Sequence, residues 1–393
     1  MSRLLFLLFI VQFGIAACSS QGQTQPITRN TNLRIHYDIM YTPVIINSTD
    51  TIELLFDTGC LVGCLLPQSL ARNYADTMVN NGWLQSASKI KVNSIELGTQ
   101  SLNSNIINSV PVDMEGLIAP IYAEEKRIWC FDFDNQIFSI RDCDTLPKGA
   151  LVYPLQFAKY KDKKLAPFVN LPMTIKNGCD SLQTDYIYLF DTGTPSGFAI
   201  TDPPKELSDF VSAIPHWQIE DSYCLQLPDR ELREFEVDIN LASNILPNTE
   251  CVFDTSLRSV SKEFKAYLPN ITKPIVGTLG MRILKHFNII LDFKNNRLIL
   301  TPAQHIYPSK PSNQTGFWCN QKGVIIRIRK NDKAYQQGIR LGDTVLTVNG
   351  VQWINISDKE TESLYSAPER SIWEINSKVG KRKITYNRVL KIQ

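Results

Sequence analysis

Two short segments carry the residues of this chain that are best suited to chemistry. Each has an aspartate, a threonine and a glycine in that order, Asp57-Thr58-Gly59 and Asp191-Thr192-Gly193. An apolar run ending in Leu-Phe precedes both triplets, which is typical of a strand that leads into a turn. One such triplet is an ordinary turn signal. Two copies behind the same strand ending predict an internal repeat that supplies one carboxylate from each half.

Two carboxylates can perform acid–base chemistry if the fold brings them together. Because like charges a few ångströms apart cannot both ionise cheaply, the pKa of one group falls and the pKa of the other rises. The ionised group can then take a proton from water, while the protonated group donates to a carbonyl oxygen. The sequence therefore predicts general acid–base catalysis by Asp57 and Asp191, with no metal and no organic cofactor.

The repeat extends beyond the triplets. Residues 132–140 and 292–300 both predict a hairpin with an asparagine-centred turn. A shorter matching pair, residues 116–119 and 277–280, precedes the hairpins. Three matching features in the same order indicate a duplicated half, and the extra residues of the second half are expected within 201–273.

With these features, the sequence resembles the pepsin-like and retropepsin-like aspartic proteases over residues 30–304. That family places one Asp-Thr-Gly loop per lobe at a pseudo-twofold axis. The resemblance implies a mainly β, bilobal, pepsin-like double-β-barrel fold, with lobes at 30–146 and 147–304. It also implies aspartic-type endopeptidase activity, a hydrolase reaction on a polypeptide substrate.

The residues around the aspartates have expected supporting roles. Gly59 and Gly193 let the loops turn tightly and leave backbone N–H groups to bond the carboxylates. By resemblance to the family, Thr58 and Thr192 hydrogen-bond across the axis. Thr194 is expected, also by resemblance, to offer its hydroxyl to the second aspartate.

The first lobe departs from the family pattern at two positions. Cys60 stands where serine or threonine is usual, and a thiol is a weaker donor. Ala119 stands where glycine is typical. These departures leave two alternatives, a shifted pH optimum or a catalytically inactive peptide-binding lipoprotein that keeps the fold. The two intact triplets favour the enzyme.

The family also folds a hairpin of the first lobe over the cleft as a flap. The resemblance places this hairpin within residues 80–95, where Trp83 either lines the flap or is an ordinary core aromatic. The sequence does not decide between these two roles for the tryptophan.

The N-terminus has the pattern of a bacterial lipoprotein signal peptide. Residues 1–17 contain Arg3, an apolar stretch too short to span a bilayer and small residues before Cys18. This pattern predicts cleavage before Cys18, lipid on that cysteine and a polar tether over 18–29. The expected location is a bacterial cell-envelope membrane, with the outer membrane favoured and either its periplasmic or surface face. A plain secretory signal is the alternative.

The C-terminal part reads as a separate module. Residues 305–314 predict a linker, and residues 315–393 are similar to a bacterial PDZ domain. The similarity rests on Leu341-Gly342-Asp343 and Val348-Asn349-Gly350 within a strand, helix, turn and strand pattern. The PDZ fold implies a groove where a peptide or a C-terminus adds beside an exposed strand. A capping domain without a ligand is the alternative.

Composition excludes several other classes of protein. With 43% hydrophobic and 20% charged residues, the chain is globular rather than disordered. Its net charge of +2 and lack of a clustered basic face give no reason to expect nucleic acid. The four histidines are scattered, so no metal site is predicted. Cysteines other than Cys18 form local bridges, such as 130 with 143 and 224 with 251, or remain buried thiols.

Overall fold

The computed structural model describes most of the chain beyond its N-terminal segment. The described residues are 29–36, 38–60, 64–74, 78–79, 88–97, 100–101, 106–110, 116–118, 128–141, 146–160, 163–221, 231–242, 244–255, 268, 271–309, 313–368, 371–377 and 380–385. The predicted signal peptide, Cys18, Trp83 and Ala119 lie outside them, as do Cys143 and Cys224.

The chain folds mainly into β-strands, because β-branched and aromatic residues alternate with polar ones along it. The first half contains β1 (Arg29–Asn32), β2 (Arg34–His36), β3 (Ile39–Ile46), β4 (Asp50–Phe56), β5 (Cys64–Pro67), β6 (Met78–Val79), β7 (Ser88–Lys91), β8 (Ile95–Leu97), β9 (Gln100–Ser101), β10 (Ile106–Val110), β11 (Leu117–Ile118), β12 (Ile128–Asp132) and β13 (Ile137–Arg141). The second half contains β14 (Leu151–Tyr160), β15 (Lys163–Asn177), β16 (Asp180–Phe190), β17 (Phe198–Ile200), β18 (His216–Asp221), β19 (Leu232–Leu241), β20 (Asn244–Asp254), β21 (Ile275–Leu279), β22 (Phe287–Asp292) and β23 (Arg297–Pro302).

Residues 313–385 form a C-terminal module with its own apolar core around Trp373. Its strands are β24 (Phe317–Cys319), β25 (Ile325–Arg329), β26 (Thr344–Val348), β27 (Val351–Gln352), β28 (Ile372–Ser377) and β29 (Gly380–Thr385). Helices are few and short: α1 (Gln68–Ala71), α2 (Lys205–Ala213), α3 (Met281–Leu284), α4 (Lys333–Gln336) and α5 (Asp358–Ser366). None of the helices in the described ranges is both long and apolar enough to cross a bilayer.

A six-stranded antiparallel sheet joins the two halves in the order β1-β13-β12-β22-β23-β14. At its centre Cys130 pairs with Ile290, so the hairpins β12–β13 and β22–β23 are related by a local twofold axis. Each hairpin turns on an aspartate, Asp132 or Asp292, which accepts hydrogen bonds from the asparagine three residues later. The duplicated hairpin predicted from the sequence is therefore confirmed.

Each half also repeats the same four-strand motif. In the first, β4 is parallel to β11, β11 is antiparallel to β5, and β5 is parallel to β10. In the second, β16, β21, β17 and β20 pair in the same senses. A pairing between β15 and β19 closes six strands of the second half into a barrel. The strands that precede the two triplets, β4 and β16, thus hold equivalent positions.

Several predicted elements have different bounds in the structure. The sequence predicts a short helix over 69–79, but the structure has only α1 followed by a 3-10 turn (Arg72–Tyr74), and β6 occupies 78–79. It predicts a solvated loop for the lysine-rich segment at 159–164, but β14 and β15 extend into this segment from both sides and pair there. The strand predicted at 223–227 lies outside the described residues. Pairing with the next strand along the chain, β7 for β6 and β15 for β14, decides the first two outcomes.

The segment predicted as the start of a linker packs against the body. The side chain of Asp134 accepts hydrogen bonds of 2.7 Å from the backbone N–H groups of Gln304 and His305. The hydroxyl of Tyr307 donates to the carbonyl of Phe133 at 2.7 Å. These contacts fasten residues 304–307 to the hairpin of the first half.

A buried ion cluster also joins the halves. Asp38, in the turn before β3, accepts hydrogen bonds from Arg282 at 3.1 and 3.0 Å and lies 2.7 Å from the amine of Lys285. Lys285 is fully buried and donates to Ser309 at 2.8 Å. Burial lowers the pKa of Lys285, and the charge of Asp38 opposes that shift. Asp38 therefore serves both cations, and Glu250 gives Arg282 a second carboxylate at 3.4 Å.

We expect Asp38→Asn to lower the free energy of unfolding by about 3–5 kcal/mol, because it leaves buried cationic groups short of their counter-charge. Urea unfolding at neutral pH measures the change. Glu53→Gln is the control, since it removes the exposed Arg34–Glu53 pair and should change stability by about 1 kcal/mol or less. Equal small effects from both substitutions would contradict the structural role of the cluster.

Candidate active site

Equivalent strands deliver the two aspartates to one place. Asp57 follows β4 directly and Asp191 follows β16. The backbone N–H of Asp57 donates to the carbonyl of Ile118 at 3.0 Å, and that of Asp191 donates to Leu279 at 3.0 Å. These bonds to the short strands β11 and β21 therefore fix the position at which each loop begins.

Four hydrogen bonds between Thr58 and Thr192 and the opposite strands lock the loops together. The hydroxyl of Thr58 donates to the carbonyl of Phe190 at 2.9 Å and accepts from the N–H of Thr192 at 3.0 Å. The hydroxyl of Thr192 donates to the carbonyl of Phe56 at 2.7 Å and accepts from the N–H of Thr58 at 3.1 Å. Both threonines are buried, so water does not compete for these bonds.

The glycines let each loop approach the opposite carboxyl group. A Cβ atom on Gly59 would lie 2.5 Å from Cγ of Asp191, and one on Gly193 would lie 2.5 Å from Cγ of Asp57. Each glycine N–H also donates to the aspartate of its own loop, at 2.8 Å in the first half and 2.9 Å in the second. No side chain fits at either position without separating the carboxyl groups.

The carboxyl groups of Asp57 and Asp191 lie side by side, each against the glycine of the opposite loop and close enough for Asp191 to affect the protonation of Asp57. Burial, and then the charge of Asp191, raise the pKa of Asp57 well above its ordinary value. Backbone N–H groups of Cys60 and Gly59 oppose this rise only in part. A proton therefore resides on Asp57 at pH values where an ordinary aspartate is ionised.

The surroundings of the two carboxyl groups differ. Thr194 donates its hydroxyl to Oδ2 of Asp191 at 2.7 Å, in addition to the N–H of Gly193. In the first loop the same chain position is Cys60, whose backbone N–H donates to Oδ1 of Asp57 at 2.9 Å. A hydroxyl stabilises negative charge better than a thiol does, so the first loop does less than the second to oppose protonation of its aspartate, in line with the raised pKa of Asp57.

A backbone contact that sequence reasoning missed holds the second loop. The N–H of Met281, at the start of α3, donates to the carbonyl of Thr194 at 2.7 Å, and Gly280 packs directly on this loop. The match between residues 116–119 and 277–280 marks the position but not the bond. Asp38, which anchors α3 through Arg282, was also missed, because an isolated aspartate carries no pattern.

The remaining predictions for the site concern the flap, a disulfide bridge and metal ligands. The described part of the predicted flap region consists of β7 and residues up to 95, and its tip lies outside the described residues. Cys251 is a buried thiol whose pKa is raised by burial, so the expected bridge between residues 224 and 251 is wrong. Among the described residues, no three His, Cys, Asp or Glu side chains group as metal ligands.

Comparison with known proteins adds a distant likeness. No protein-family model matches the sequence, and no curated protein is similar to it. Among solved structures, the chain is similar to an aspartic proteinase from Irpex lacteus, at 12% sequence identity and a TM-score of 0.38, over 71% of this chain and 98% of that one. A likeness this distant carries no argument about activity. Any argument for an activity rests instead on the carboxyl pair and its surroundings.

We expect Asp191→Asn to lower the pKa of Asp57, because the substitution removes the neighbouring negative charge. Burial still holds the pKa of Asp57 above that of an exposed aspartate. Carbon-13 NMR titration of the aspartate carboxyl groups measures the shift. Asp185→Asn, on strand β16 before Asp191, removes an exposed carboxylate and should leave the pKa of Asp57 unchanged. An unshifted Asp57 in the Asp191→Asn chain would show that the two groups do not interact.

Proposed function

We propose that this protein is a pepsin-like aspartic endopeptidase that hydrolyses polypeptides with Asp57 and Asp191. The observation that carries the proposal is the adjacent carboxyl pair, contributed by equivalent loops of two duplicated halves. Paired carboxyl groups with separated affinities for a proton are suited to general acid–base catalysis. The threonine bonds between the loops support the proposal, since they maintain the pair against repulsion.

In the proposed reaction, ionised Asp191 takes a proton from a water molecule as the water oxygen attacks the peptide carbonyl carbon. Protonated Asp57 donates its proton to the carbonyl oxygen, which gives a neutral tetrahedral diol. Return of one hydroxyl proton to Asp57 re-forms the carbonyl, while the C–N bond breaks and Asp191 passes its proton to the leaving amine. No covalent intermediate with the enzyme forms, and both carboxyl groups return to their starting states.

We also propose the setting of this activity from sequence features. The signal pattern of residues 1–17 and the small residues before Cys18 support an exported protein held by lipid at a bacterial envelope membrane. The element order of the C-terminal module, with glycines of positive φ at 342 and 350 in its turns, supports a PDZ-like module. An inactive peptide-binding lipoprotein is the second candidate, favoured by Cys60 in place of a hydroxyl residue and by Ala119 in place of a glycine.

Hydrolysis of unfolded casein over about pH 3–7 tests the proposal, and we expect Asp57→Asn and Asp191→Asn each to lower the rate at least about 100-fold. Asp185→Asn is the matched control, and circular dichroism verifies that each variant is folded. Cleavage by the wild type that survives both active-loop substitutions would rule out the proposed mechanism. If folded wild-type protein binds peptide but cleaves at no pH, the inactive alternative is correct.

We expect Cys60→Ser to move the alkaline limb of the kcat/KM profile to lower pH, by about one unit. A serine hydroxyl would give Asp57 the donor that Thr194 gives Asp191, and this donor lowers the pKa of Asp57. Because Asp57 must be protonated, activity is lost as pH rises through that pKa. Cys179→Ser, at an exposed thiol, is the control. A limb that stays in place would show that residue 60 does not tune the pair.

A further inference from the structure

The C-terminal module is joined to the second half by a shared sheet. Strand β25 of the module pairs antiparallel with β18, with Arg329 opposite Ile219 and Arg327 opposite Asp221. The N–H of Lys330 extends this ladder by donating to the carbonyl of Gln218 at 2.9 Å. Since β18 also pairs with β19, the hairpin β18–β19 continues directly into the module.

A buried carboxylate fastens the same junction. Glu234 on β19 is 2% exposed and Arg329 on β25 is 3% exposed. Arg329 donates to Oε2 of Glu234 from Nε at 3.1 Å and from Nη2 at 3.0 Å, and Arg327 bonds the other oxygen. The guanidinium of Arg329 also lies 4.3 Å from the ring centre of Trp217. If the module separated from the second half, Glu234 would lose both of its arginine partners. Separation is therefore energetically costly.

The free edge of the module's outer strand is closed by the module itself. Along β24, the residues on either side of Phe317 and Cys319 form the hydrogen bonds to β25. The backbone groups of Phe317 and Cys319 therefore point away from β25. The carbonyl of Phe317 accepts from the side chain of Asn313 at 2.7 Å. The N–H of Cys319 donates to the hydroxyl of Tyr365 at 2.8 Å. Of the groups that an added strand would use, the carbonyl of Phe317 and the N–H of Cys319 are therefore already bonded.

The side chain that covers this edge belongs to the module's core. Tyr365, on α5, lies with its ring centre 6.1 Å from that of Trp373 and 6.4 Å from that of Phe317. Its carbonyl accepts a hydrogen bond from the N–H of Gln314 at 2.8 Å. An extended peptide could reach β24 only by displacing Tyr365 from packed aromatic neighbours.

The first half has no equivalent of this junction in the described residues. By the duplication, the hairpin β6–β7 corresponds to the hairpin β18–β19. Each hairpin follows a helix. Strand β7 pairs with β10, and β19 pairs with β20, which is the equivalent of β10 in the second half. Among the described strands, β6 is at the edge of its sheet. Among the strands that the structure describes, the hairpin of the second half is extended by a further strand and that of the first half is not.

We propose that the partner of the C-terminal module is this chain's own hairpin β18–β19, which the module holds permanently in place, and that β24 is not a site for a separate peptide. The module then acts as a fixed third part of the body rather than as a mobile receptor. This proposal concerns assembly, so it does not depend on the hydrolysis proposed above.

Hydrogen exchange of the full chain tests the permanent docking. We expect residues 216–221 and 325–329 to exchange as slowly as β19 in the wild type. Arg329→Met should accelerate both segments together, by roughly tenfold or more, and leave β3 and β4 unchanged. Lys330→Met is the matched control, because it removes only the more exposed ion pair with Glu220. Independent or fast exchange of the two segments in the wild type would overturn the proposal.

Nitrogen-15 cysteine NMR tests the closed edge at the amide of Cys319. The probe is a pool of random-sequence decapeptides with free C-termini, added to the Asp57→Asn chain so that the pool remains intact. We expect no change at Cys319, whereas Tyr365→Phe, which removes the acceptor and keeps the ring, should shift that amide without any peptide. A saturable shift of Cys319 caused by the pool would show that β24 does accept peptides.

Discussion

Two carboxyl groups that repel each other are kept in contact by hydrogen bonds that cross between the halves. Each threonine of the active loops donates to the carbonyl that ends the opposite strand, so neither loop can recede without breaking bonds made by both. Because these bonds are buried, they lose little to water. The interlobe sheet, the aromatic residues packed around Phe56 and the ion cluster at Asp38 all act to keep the two strand ends at this separation.

Duplication supplies the geometry, and differences between the copies supply the chemistry. The paired hairpins and the four-strand motif bring equivalent loops to one axis, which would leave the two aspartates alike if their neighbours were identical. They are not identical, since Thr194 faces one aspartate where Cys60 follows the other. A hydroxyl bonded to one carboxyl group and not to the other makes their surroundings unequal, and this matters because groups this close affect each other's protonation.

Local pattern was sufficient to predict the parts that repeat. The strand endings before Asp57 and Asp191, and the Asp-Asn turns at 132 and 292, have sequence signatures that are independent of what they pack against. Contacts between distant segments had no such signature. The bond network of Glu234 joins positions more than ninety residues apart, and a buried glutamate looks like any other acidic residue in a strand. The strands that extend into the lysine-rich segment reflect strand pairing rather than intrinsic preference, since β14 and β15 pair with each other there.

At the centre of the interlobe sheet, Cys130 faces Ile290, its own counterpart in the other half. In a dimer of identical chains this position would oblige a residue to pack against a copy of itself. Fusion into one polypeptide removes that obligation, here and at every other place where the halves meet. On the function proposed above, the two sides of the carboxyl pair therefore differ, and a substrate polypeptide crosses the pair in one N-to-C direction rather than two.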